Sequence, residues 1–257
     1  MRRFSVQPKD INGSSAAIYG DEANHIQNVL RLSSGHEIQL FDGTGTEYKA
    51  KIDSLSSNKI QVTILEKIEP RTESPIQIIM AQALLKDNKM DHLVRQLTEL
   101  GMTQFIPYIA ERSIARPDTS RLTKRMERWE KITKESLKQC RRSIIPEIGP
   151  VLSFKELLAF GKTCDTCILF WENSKTPIKI PKDKPQTPEN RIILILGPEG
   201  GFSDNEIEQA RQSDFSIASL GPRILKAETA PIAAFTIIQF LFGDMGNKFL
   251  DKASGIH

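Results

Sequence analysis

A glycine-rich turn at residues 197–201 is the part of the sequence best suited to bind a ligand. It follows an apolar run typical of a buried strand, and Ser203 and Glu206 have the spacing of a capping box, which opens a helix. Three glycines in the turn allow a ligand to approach the backbone where a side chain would block it. Because ligands bind at the carboxyl ends of strands in open α/β sheets, the pattern predicts a binding site; the alternative is a turn that only connects two elements.

Two further turns also begin where apolar runs end. In residues 220–230, Gly221 and Pro222 turn the chain, and Thr229 is predicted to cap an apolar helix at residues 230–242. Residues 170–174 follow a third run. We expect the three turns to converge on a single pocket. The first turn is neither a P-loop nor a Gly-x-Gly-x-x-Gly fingerprint, so binding of nucleotide phosphate is only weakly supported.

Short strands dominate the sequence up to about residue 70. Alternation of apolar and polar side chains, interrupted by a turn signal at residues 42–45, predicts strands at residues 37–41, 46–53 and 59–68. Residues 21–32 break the pattern, because a helical period of 3.6 aligns four apolar side chains there, Ala23, Ile26, Val29 and Leu30. These elements predict a small β-barrel with one helix. The polar, proline-containing residues 69–75 predict a linker.

Strand and helix patterns alternate after residue 75. Continuous apolar runs predict strands at residues 76–83, 104–109, 166–171, 191–196 and 215–220. The expected helices include one capped by Asp87 or Asn88 and ended by Gly101, and a long basic helix in which Trp129 is assigned to the core rather than to base stacking. The predicted fold class is α/β with a mostly parallel sheet. Residues 177–188 are expected to form a surface insertion.

The composition excludes several classes of protein. The 257 residues suffice for one large domain or two modest ones, and the 39% hydrophobic and 26% charged contents are ordinary for a globular protein. The apolar runs are far shorter than the about 18 residues that cross a bilayer, and the N-terminus does not resemble a secretory signal. Membrane, fibrous, disordered and disulfide-scaffold proteins are therefore not expected.

The net charge of +3 is unevenly distributed along the chain. Residues 112–142 carry eleven Lys and Arg against four Asp and Glu, a local surplus of +7. With Arg2, Arg3 and Lys9 near the N-terminus, this surplus indicates a polyanionic partner; the alternative is a solvated helix face.

Three cysteines, an odd number, are too few for a disulfide framework, which favours the reducing cytoplasm. Cys164 and Cys167 have the spacing of a metal or redox motif, but a second pair of ligands is missing and the four histidines are scattered. We predict buried structural thiols at a strand start and no metal site.

The two C-terminal turns together resemble the signature of the SPOUT-class methyltransferases, and within that class the 16S rRNA (uracil-N3)-methyltransferase family. The resemblance rests on Gly-Pro-Glu-Gly-Gly at residues 197–201 and Leu-Gly-Pro-Arg-Ile-Leu-Lys-Ala-Glu-Thr at residues 220–229. Supporting segments lie at residues 25–31, 40–43, 89–101, 111–113 and 129–146, so the likeness covers nearly the whole chain. Lys226 and the doublet Arg141–Arg142 stand at positions where we expect the family to vary.

The resemblance implies a PUA-like RNA-binding β-barrel at residues 1–70, a linker at 71–75, a SPOUT domain with a C-terminal trefoil knot at 76–245 and a tail at 246–257. It implies that the knotted loops bind S-adenosylmethionine (SAM) and that a partner subunit of a homodimer completes each active site. The substrate would be the N3 atom of a uridine in the decoding region of 16S rRNA, in the small ribosomal subunit. No metal and no membrane are implied.

The resemblance also implies roles for residues. The cofactor site would comprise Phe170, Trp171, Glu172, Leu196, Gly197, Pro198, Glu199, Gly200, Gly201, Leu220, Gly221, Ile224, Leu225 and Thr229. Loss of the N3 proton calls for a base and for an arginine beside the developing oxyanion, and the catalytic candidates are Arg142, Arg223, Glu199 and Glu228. Either glutamate could instead stabilise a helix start. RNA contacts are expected from Arg2, Arg3, Arg31, Arg112, Arg116, Arg121, Lys124, Arg125, Arg141 and Arg142, with Arg2 or Arg3 as further oxyanion candidates.

Three other functions stay open at this point. A SPOUT methyltransferase acting on tRNA or another base would carry the same motifs. A non-catalytic RNA-binding or ribosome-assembly factor would retain RNA affinity without cofactor affinity, and replacing Gly200 by valine would then leave it unaffected while closing the pocket of an enzyme. A small-molecule α/β enzyme conflicts with the basic segment and the extra barrel.

Overall fold

The computed structural model describes residues 2–69, 72–115, 118–178 and 190–246, and the chain divides into two compact units. Unit 1 comprises Met1–Glu73 and Lys134–Ile145, and unit 2 comprises Ser74–Thr133 and Pro146–His257. The predicted insertion and C-terminal tail lie, apart from their first residues, outside the described ranges. Within those ranges, no helix is both long and apolar enough to span a membrane.

The chain forms thirteen described strands and six described α-helices. The strands are β1 (Arg3–Ser5), β2 (Ile11–Asn12), β3 (Ser15–Tyr19), β4 (Glu37–Phe41), β5 (Glu47–Ser56), β6 (Lys59–Ile68), β7 (Gln77–Ala83), β8 (Gln104–Ile109), β9 (Glu147–Ile148), β10 (Leu152–Ser153), β11 (Thr166–Phe170), β12 (Arg191–Leu196) and β13 (Ser216–Ala218). The helices are α1 (Gly20–Asn24), α2 (Lys89–Glu99), α3 (Thr119–Cys140), α4 (Phe154–Gly161), α5 (Asp204–Gln212) and α6 (Thr229–Phe242), with a 3-10 helix at Pro8–Asp10.

Unit 1 is built on a six-stranded sheet with the order β1-β4-β5-β6-β3-β2. Only β1 and β4 pair in parallel, and the other neighbours are antiparallel. Alternation along β6 sends Ile60 and Val62 into an apolar core with Phe4, Ile38 and Leu40. The predicted strands at residues 37–41 and 59–68 are confirmed with these bounds.

The predicted helix at residues 21–32 has a different form. After α1 the chain continues as a π-helix, His25–Val29, in which the Leu30 amide bonds to the His25 carbonyl at 2.9 Å. This wider turn changes the angle between side chains, so Ile26 is fully buried but Val29 is 63% exposed. The assignment of Val29 to the buried face was therefore wrong.

Unit 2 is an α/β fold around a parallel sheet with the order β10-β8-β7-β12-β11-β13, and β9 also pairs with β8. Every pairing in this sheet is parallel. The central strands β7 and β12 are apolar along nearly their whole length because a separate apolar cluster covers each face of the sheet. Since β12, β11 and β13 are neighbours, their carboxyl ends lie side by side.

Local sequence signals position the helices of unit 2. Asn88 is the N-cap residue of α2, although its side chain makes no cap hydrogen bond. Gly101 follows the helix with φ +99°, the left-handed stop that was predicted. Ser203 and Glu206 form the predicted capping box of α5. The predicted cap of α6 was wrong: Glu228 is the N-cap residue and Thr229 is the first helical residue, with no side-chain cap bond. Trp129 of α3 is 1% exposed, which confirms its core assignment.

Candidate functional site

A cavity of about 470 Å³ lies at the carboxyl ends of β11 and β12 and beside the segment that follows β13. Its volume falls in the range of about 300–1,000 Å³ that is usual for ligand pockets. The wall includes twelve of the fourteen predicted cofactor residues, Phe170, Trp171, Glu172, Leu196, Gly197, Pro198, Glu199, Gly201, Leu220, Gly221, Ile224 and Leu225. It also includes Lys89, Phe202, Ser219, Arg223, Lys226, Ala227, Glu228 and Ala230. The three predicted turns therefore do converge.

Gly200 and Thr229 are the two predicted cofactor residues that do not line this cavity. A Cβ atom at Gly200 would lie 3.1 Å from Cβ of Arg112, whose Nη1 donates a hydrogen bond to the Gly200 carbonyl at 3.3 Å. Thr229 is exposed at the start of α6. The expectation that valine at position 200 would fill the pocket is corrected, because its side chain would meet Arg112.

Gly201 is the glycine of the turn that the cavity requires. Its φ of +66° favours glycine, and an added Cβ would collide with the carboxylate of Glu172. Both residues line the cavity, so any side chain at position 201 would disturb its wall.

A cation between two carboxylates spans the cavity wall. Nζ of Lys89 lies 3.1 Å from Oε1 of Glu199 and 3.4 Å from Oε2 of Glu228, and the Lys86 amide donates to Glu199 at 3.2 Å. The hydrogen bond and charge of Glu199 raise the pKa of Lys89. Burial acts to raise the pKa of Glu199, but hydrogen bonds from backbone amides and from Lys89 outweigh it and lower that pKa.

Lys89 was not among the predicted site residues. It stands in the first turn of α2, after β7, and β7 is the sheet neighbour of β12. The only signal in the sequence was that Lys89 is a cation shortly after an apolar strand. Its position beside Glu199 depends on the pairing of β7 with β12, which the local sequence does not specify.

Arg223 and Ile224 form an exposed part of the wall. Among the described residues, Arg223 has no hydrogen-bond or ion-pair partner. Ile224 is 86% exposed, so it lies at the rim of the cavity. Leu225 is partly buried.

Two predicted functional arginines have structural partners in unit 1. Arg142 is 2% exposed and its guanidinium donates to Oε2 of Glu73 at 2.8 and 3.0 Å. Arg3 forms an ion pair with Glu47 and donates to the carbonyls of Leu137 and Arg142 at 2.8 and 3.0 Å. Both guanidiniums are enclosed and bonded within unit 1, so these contacts give Arg3 and Arg142 a structural role.

The other basic residues predicted to contact RNA are mostly at the surface. Arg2, Arg31 and Arg141 are exposed in unit 1, and Arg112, Arg121 and Lys124 are exposed in unit 2. Arg125 is partly buried, and Arg116 lies outside the described residues. Arg121 and Lys124 share one face of α3 with Arg128 and Lys131, at spacings of three and four residues.

The cysteine pair has the properties of unreactive thiols. Burial raises the pKa of Cys164, and burial together with the charges of Cys164 and Asp165 raises the pKa of Cys167 to about 12. Both are free and partly buried. In the described part of the chain, no group of three or more His, Cys, Asp or Glu residues is placed to hold a metal ion.

The sequence is similar to two domain families and to several curated proteins. The RNA methyltransferase domain family matches residues 72–239, and the RNA methyltransferase PUA domain family matches residues 18–65. The chain is 34% identical over 234 residues to ribosomal RNA small subunit methyltransferase E of Bacillus subtilis, covering 87% of this chain and 89% of that protein. Identity to the protein of the same name from Mesomycoplasma hyopneumoniae is 35%, over 92% and 98% of the two chains.

Solved structures show the same similarity. A crystal structure of a ribosomal RNA small subunit methyltransferase E from Neisseria gonorrhoeae, bound to SAM, matches with a TM-score of 0.82 and 31% identity over 95% of this chain and 99% of that one. A Legionella pneumophila structure in complex with bound SAM matches with a TM-score of 0.83 and 31% identity, over 94% and 98%.

Proposed function

Because this chain belongs to the RNA methyltransferase family that includes ribosomal RNA small subunit methyltransferase E, we propose that it transfers a methyl group from SAM to N3 of a uridine in the decoding region of 16S rRNA. The observation that carries the proposal is the cavity in which three strand-end turns meet. The substrate would be the small ribosomal subunit.

The residues that line the cavity fit SAM. Phe170, Leu196 and Leu225 offer apolar surface to adenine, and the carboxylate of Glu172 can accept hydrogen bonds from hydroxyl or ammonium groups. The indole N–H of Trp171 is buried and has no hydrogen-bond partner among the described residues, so it can donate a hydrogen bond to a bound ligand. Gly201 leaves the space that a Cβ would take.

When bound, SAM supplies a methyl group that its sulfonium charge already activates. The protein must orient the uracil, accept the proton that leaves N3, and stabilise the negative charge that remains on the uracil oxygens. We assign the oxyanion contact to Arg223, whose guanidinium has no partner among the described residues and lies at the cavity. We assign Glu228 as the group that accepts the N3 proton, because Glu199 already accepts hydrogen bonds from the Lys86 amide at 3.2 Å and from Nζ of Lys89 at 3.1 Å.

RNA binding is assigned to unit 1 and to the exposed face of α3. The PUA match at residues 18–65 and the exposed arginines of unit 1 support the first part, and Arg121, Lys124, Arg128 and Lys131 support the second. Replacing Arg121 and Lys124 by alanine should weaken binding to small subunits and lower the slope of log affinity against log salt by about 1 per residue. The matched control removes the exposed Lys155 and Lys162, at the two ends of α4, and should leave the slope unchanged.

We further propose a trefoil-knotted arrangement of the cofactor loops and a cytoplasmic homodimer. The meeting of three loops at one cavity supports the knot. The 86% exposure of Ile224 at the cavity rim supports coverage by a partner subunit. Sedimentation velocity should give a dimer, and a monomer at all concentrations would contradict the proposed homodimer.

Because the methyl group of SAM is already activated, no metal is assigned, and methyl transfer should persist in the presence of a chelator.

The decisive experiment incubates purified protein and methyl-labelled SAM with small subunits that lack the modification. Nucleoside mass spectrometry should detect 3-methyluridine, and Arg223→Ala should lose transfer while Arg211→Ala, an exposed arginine of α5, retains it. Label in another nucleoside or only in tRNA would favour a different SPOUT methyltransferase. RNA binding without SAM binding would favour an assembly factor.

A further inference from the structure

Two fully buried side chains hold the backbone behind the cavity wall. The Tyr108 hydroxyl donates a hydrogen bond to the Leu196 carbonyl at 2.9 Å. Nε2 of Gln82 donates to the Gly197 carbonyl at 3.0 Å and to the Ala83 carbonyl at 3.1 Å. Both donors are 0% exposed, whereas Leu196 and Gly197 line the cavity.

The Gln82 side chain continues a strand pairing beyond its end. The register between β12 and β7 stops at Leu196 opposite Gln82. Beyond that point the Leu84 amide of the β7 chain bonds to the Tyr108 carbonyl, on the β8 side. The side-chain amide of Gln82 therefore donates to the Gly197 carbonyl the hydrogen bond that a backbone amide would donate if the strand pairing continued.

The orientation of this amide leaves one atom without a partner. Two carbonyl oxygens face Nε2, so a flipped amide would place oxygen against oxygen. With Nε2 bonded in this way, Oε1 of Gln82 is buried and has no hydrogen-bond partner among the described residues. A buried oxygen without a hydrogen bond is unfavourable. Its presence indicates that the hydrogen bond to Gly197 contributes more than a partner for Oε1 would.

Two further carbonyl groups of the turn also accept hydrogen bonds. The Pro198 carbonyl accepts from the Gly201 amide at 3.0 Å, and the Gly200 carbonyl accepts from Arg112 at 3.3 Å. The carbonyl oxygens of Leu196, Gly197, Pro198 and Gly200 are thus all bonded to donors of this chain. Such a loop is ordered before a ligand arrives, which lowers the entropy cost of binding.

We propose that Gln82 and Tyr108 are positioning residues, which hold the turn at residues 197–201 in the conformation that binds SAM by bonding to the carbonyl oxygens of Gly197 and of Leu196 just before it. The inference rests on the proposed function, because SAM is the ligand. Neither residue contacts the cofactor in this proposal; both act through Leu196 and Gly197.

Tyr108→Phe tests the proposal by removing one hydroxyl from a buried ring. Calorimetry should show the Kd for SAM rising about ten-fold with unchanged stoichiometry, equivalent to about 1.4 kcal/mol. The matched control is Tyr48→Phe in unit 1, which loses a hydroxyl bonded to Asp42 at 3.2 Å and should retain the wild-type Kd. Gln82→Met keeps the length of the side chain but removes its hydrogen-bond donor, and it should raise the Kd for SAM about as much. This second variant tests the proposal if Tyr108→Phe does not fold.

Hydrogen exchange separates positioning from mere stabilisation of the fold. At a temperature where both proteins are folded, amides of residues 199–202 should exchange faster in each variant than in wild type. A lowered Tm with unchanged Kd and unchanged exchange would overturn the proposal. If wild type itself gives no heat with SAM, the proposed function fails, and the exchange measurement alone still decides whether the two side chains hold the turn.

Discussion

At the scale of single residues, the adjacent glycines 200 and 201 have different tasks. Gly200 makes room for Arg112, whereas Gly201 combines φ +66° with a position against Glu172 in the cavity wall. Gly201→Val should therefore weaken SAM binding at least ten-fold in calorimetry, because a strained backbone costs about 1–3 kcal/mol and the side chain displaces Glu172.

Gly35→Val is the control for backbone strain alone. Gly35 has φ +92° in unit 1, and no atom lies within 4 Å of the position that a Cβ atom would occupy there. It should lower the Tm but leave the Kd for SAM unchanged. Wild-type affinity in Gly201→Val would contradict the assigned wall.

The carboxylate of Glu199 should add a pH-dependent part to stability. Its pKa in the folded protein lies below the ordinary 4.5, so its stabilising contribution is fully present above 4.5 and is lost as the pH falls through the lowered value. The Tm difference between wild type and Glu199→Gln should be present at pH 7 and shrink at pH 3. Glu208→Gln, on the exposed face of α5, should show little difference at either pH; a difference for Glu199→Gln that grows in acid would refute the assignment.

The sequence was sufficient to find residues that lie within the turns, and insufficient for residues that reach them from other strands. Turn residues such as Gly201 carry a local signal, because glycine spacing and a following capping box lie within ten positions. Gln82, Tyr108 and Lys89 reach the same loop from β7, β8 and α2. Their roles depend on strand order, which no local pattern specifies.

At the scale of elements, two helices begin with the same capping box and only one of them adjoins the cavity. Ser203 caps α5 directly after the 197–201 turn, and Ser153 caps α4. Ser203→Ala and Ser153→Ala should each destabilise unit 2 by about 1 kcal/mol and lower the Tm by about 2–4 °C. Only Ser203→Ala should also raise the Kd for SAM, because its loss loosens the end of the turn; equal effects on affinity would contradict this.

Elements were predictable where a core dictates them. Strands β8 and β12 match their predicted bounds because burial on both faces requires a continuous apolar run. The edge strand β13 is three residues long, shorter than its apolar run. The π-helix at His25–Val29 was missed because one extra residue in a turn leaves no mark in a 3.6-residue period.

At the scale of the whole molecule, contacts distant in sequence define unit 1. Residues 134–145, the end of α3 and the segment after it, cluster with the N-terminal sheet. Glu73 accepts hydrogen bonds from the amides of Ser143 and Ile144 at 2.8 and 3.0 Å, in addition to its ion pair with Arg142. Such pairings join residues about seventy positions apart. Composition therefore indicated only a linker at Glu73, and the family resemblance implied a functional Arg142, without either showing this contact.

Arg142→Met distinguishes the structural role of Arg142 from a catalytic one. Removing the guanidinium leaves the largely enclosed carboxylate of Glu73 without its cation, so unit 1 should lose about 3 kcal/mol of stability. Arg141→Met, at the exposed neighbour, should change stability by less than about 0.5 kcal/mol. The double variant Arg142→Met with Glu73→Gln should recover part of the loss, since the neutral amide oxygen can still accept from Ser143 and Ile144. Denaturant unfolding measures these differences, and a catalytic role would instead abolish methyl transfer in Arg142→Met while leaving its unfolding curve at the wild-type position.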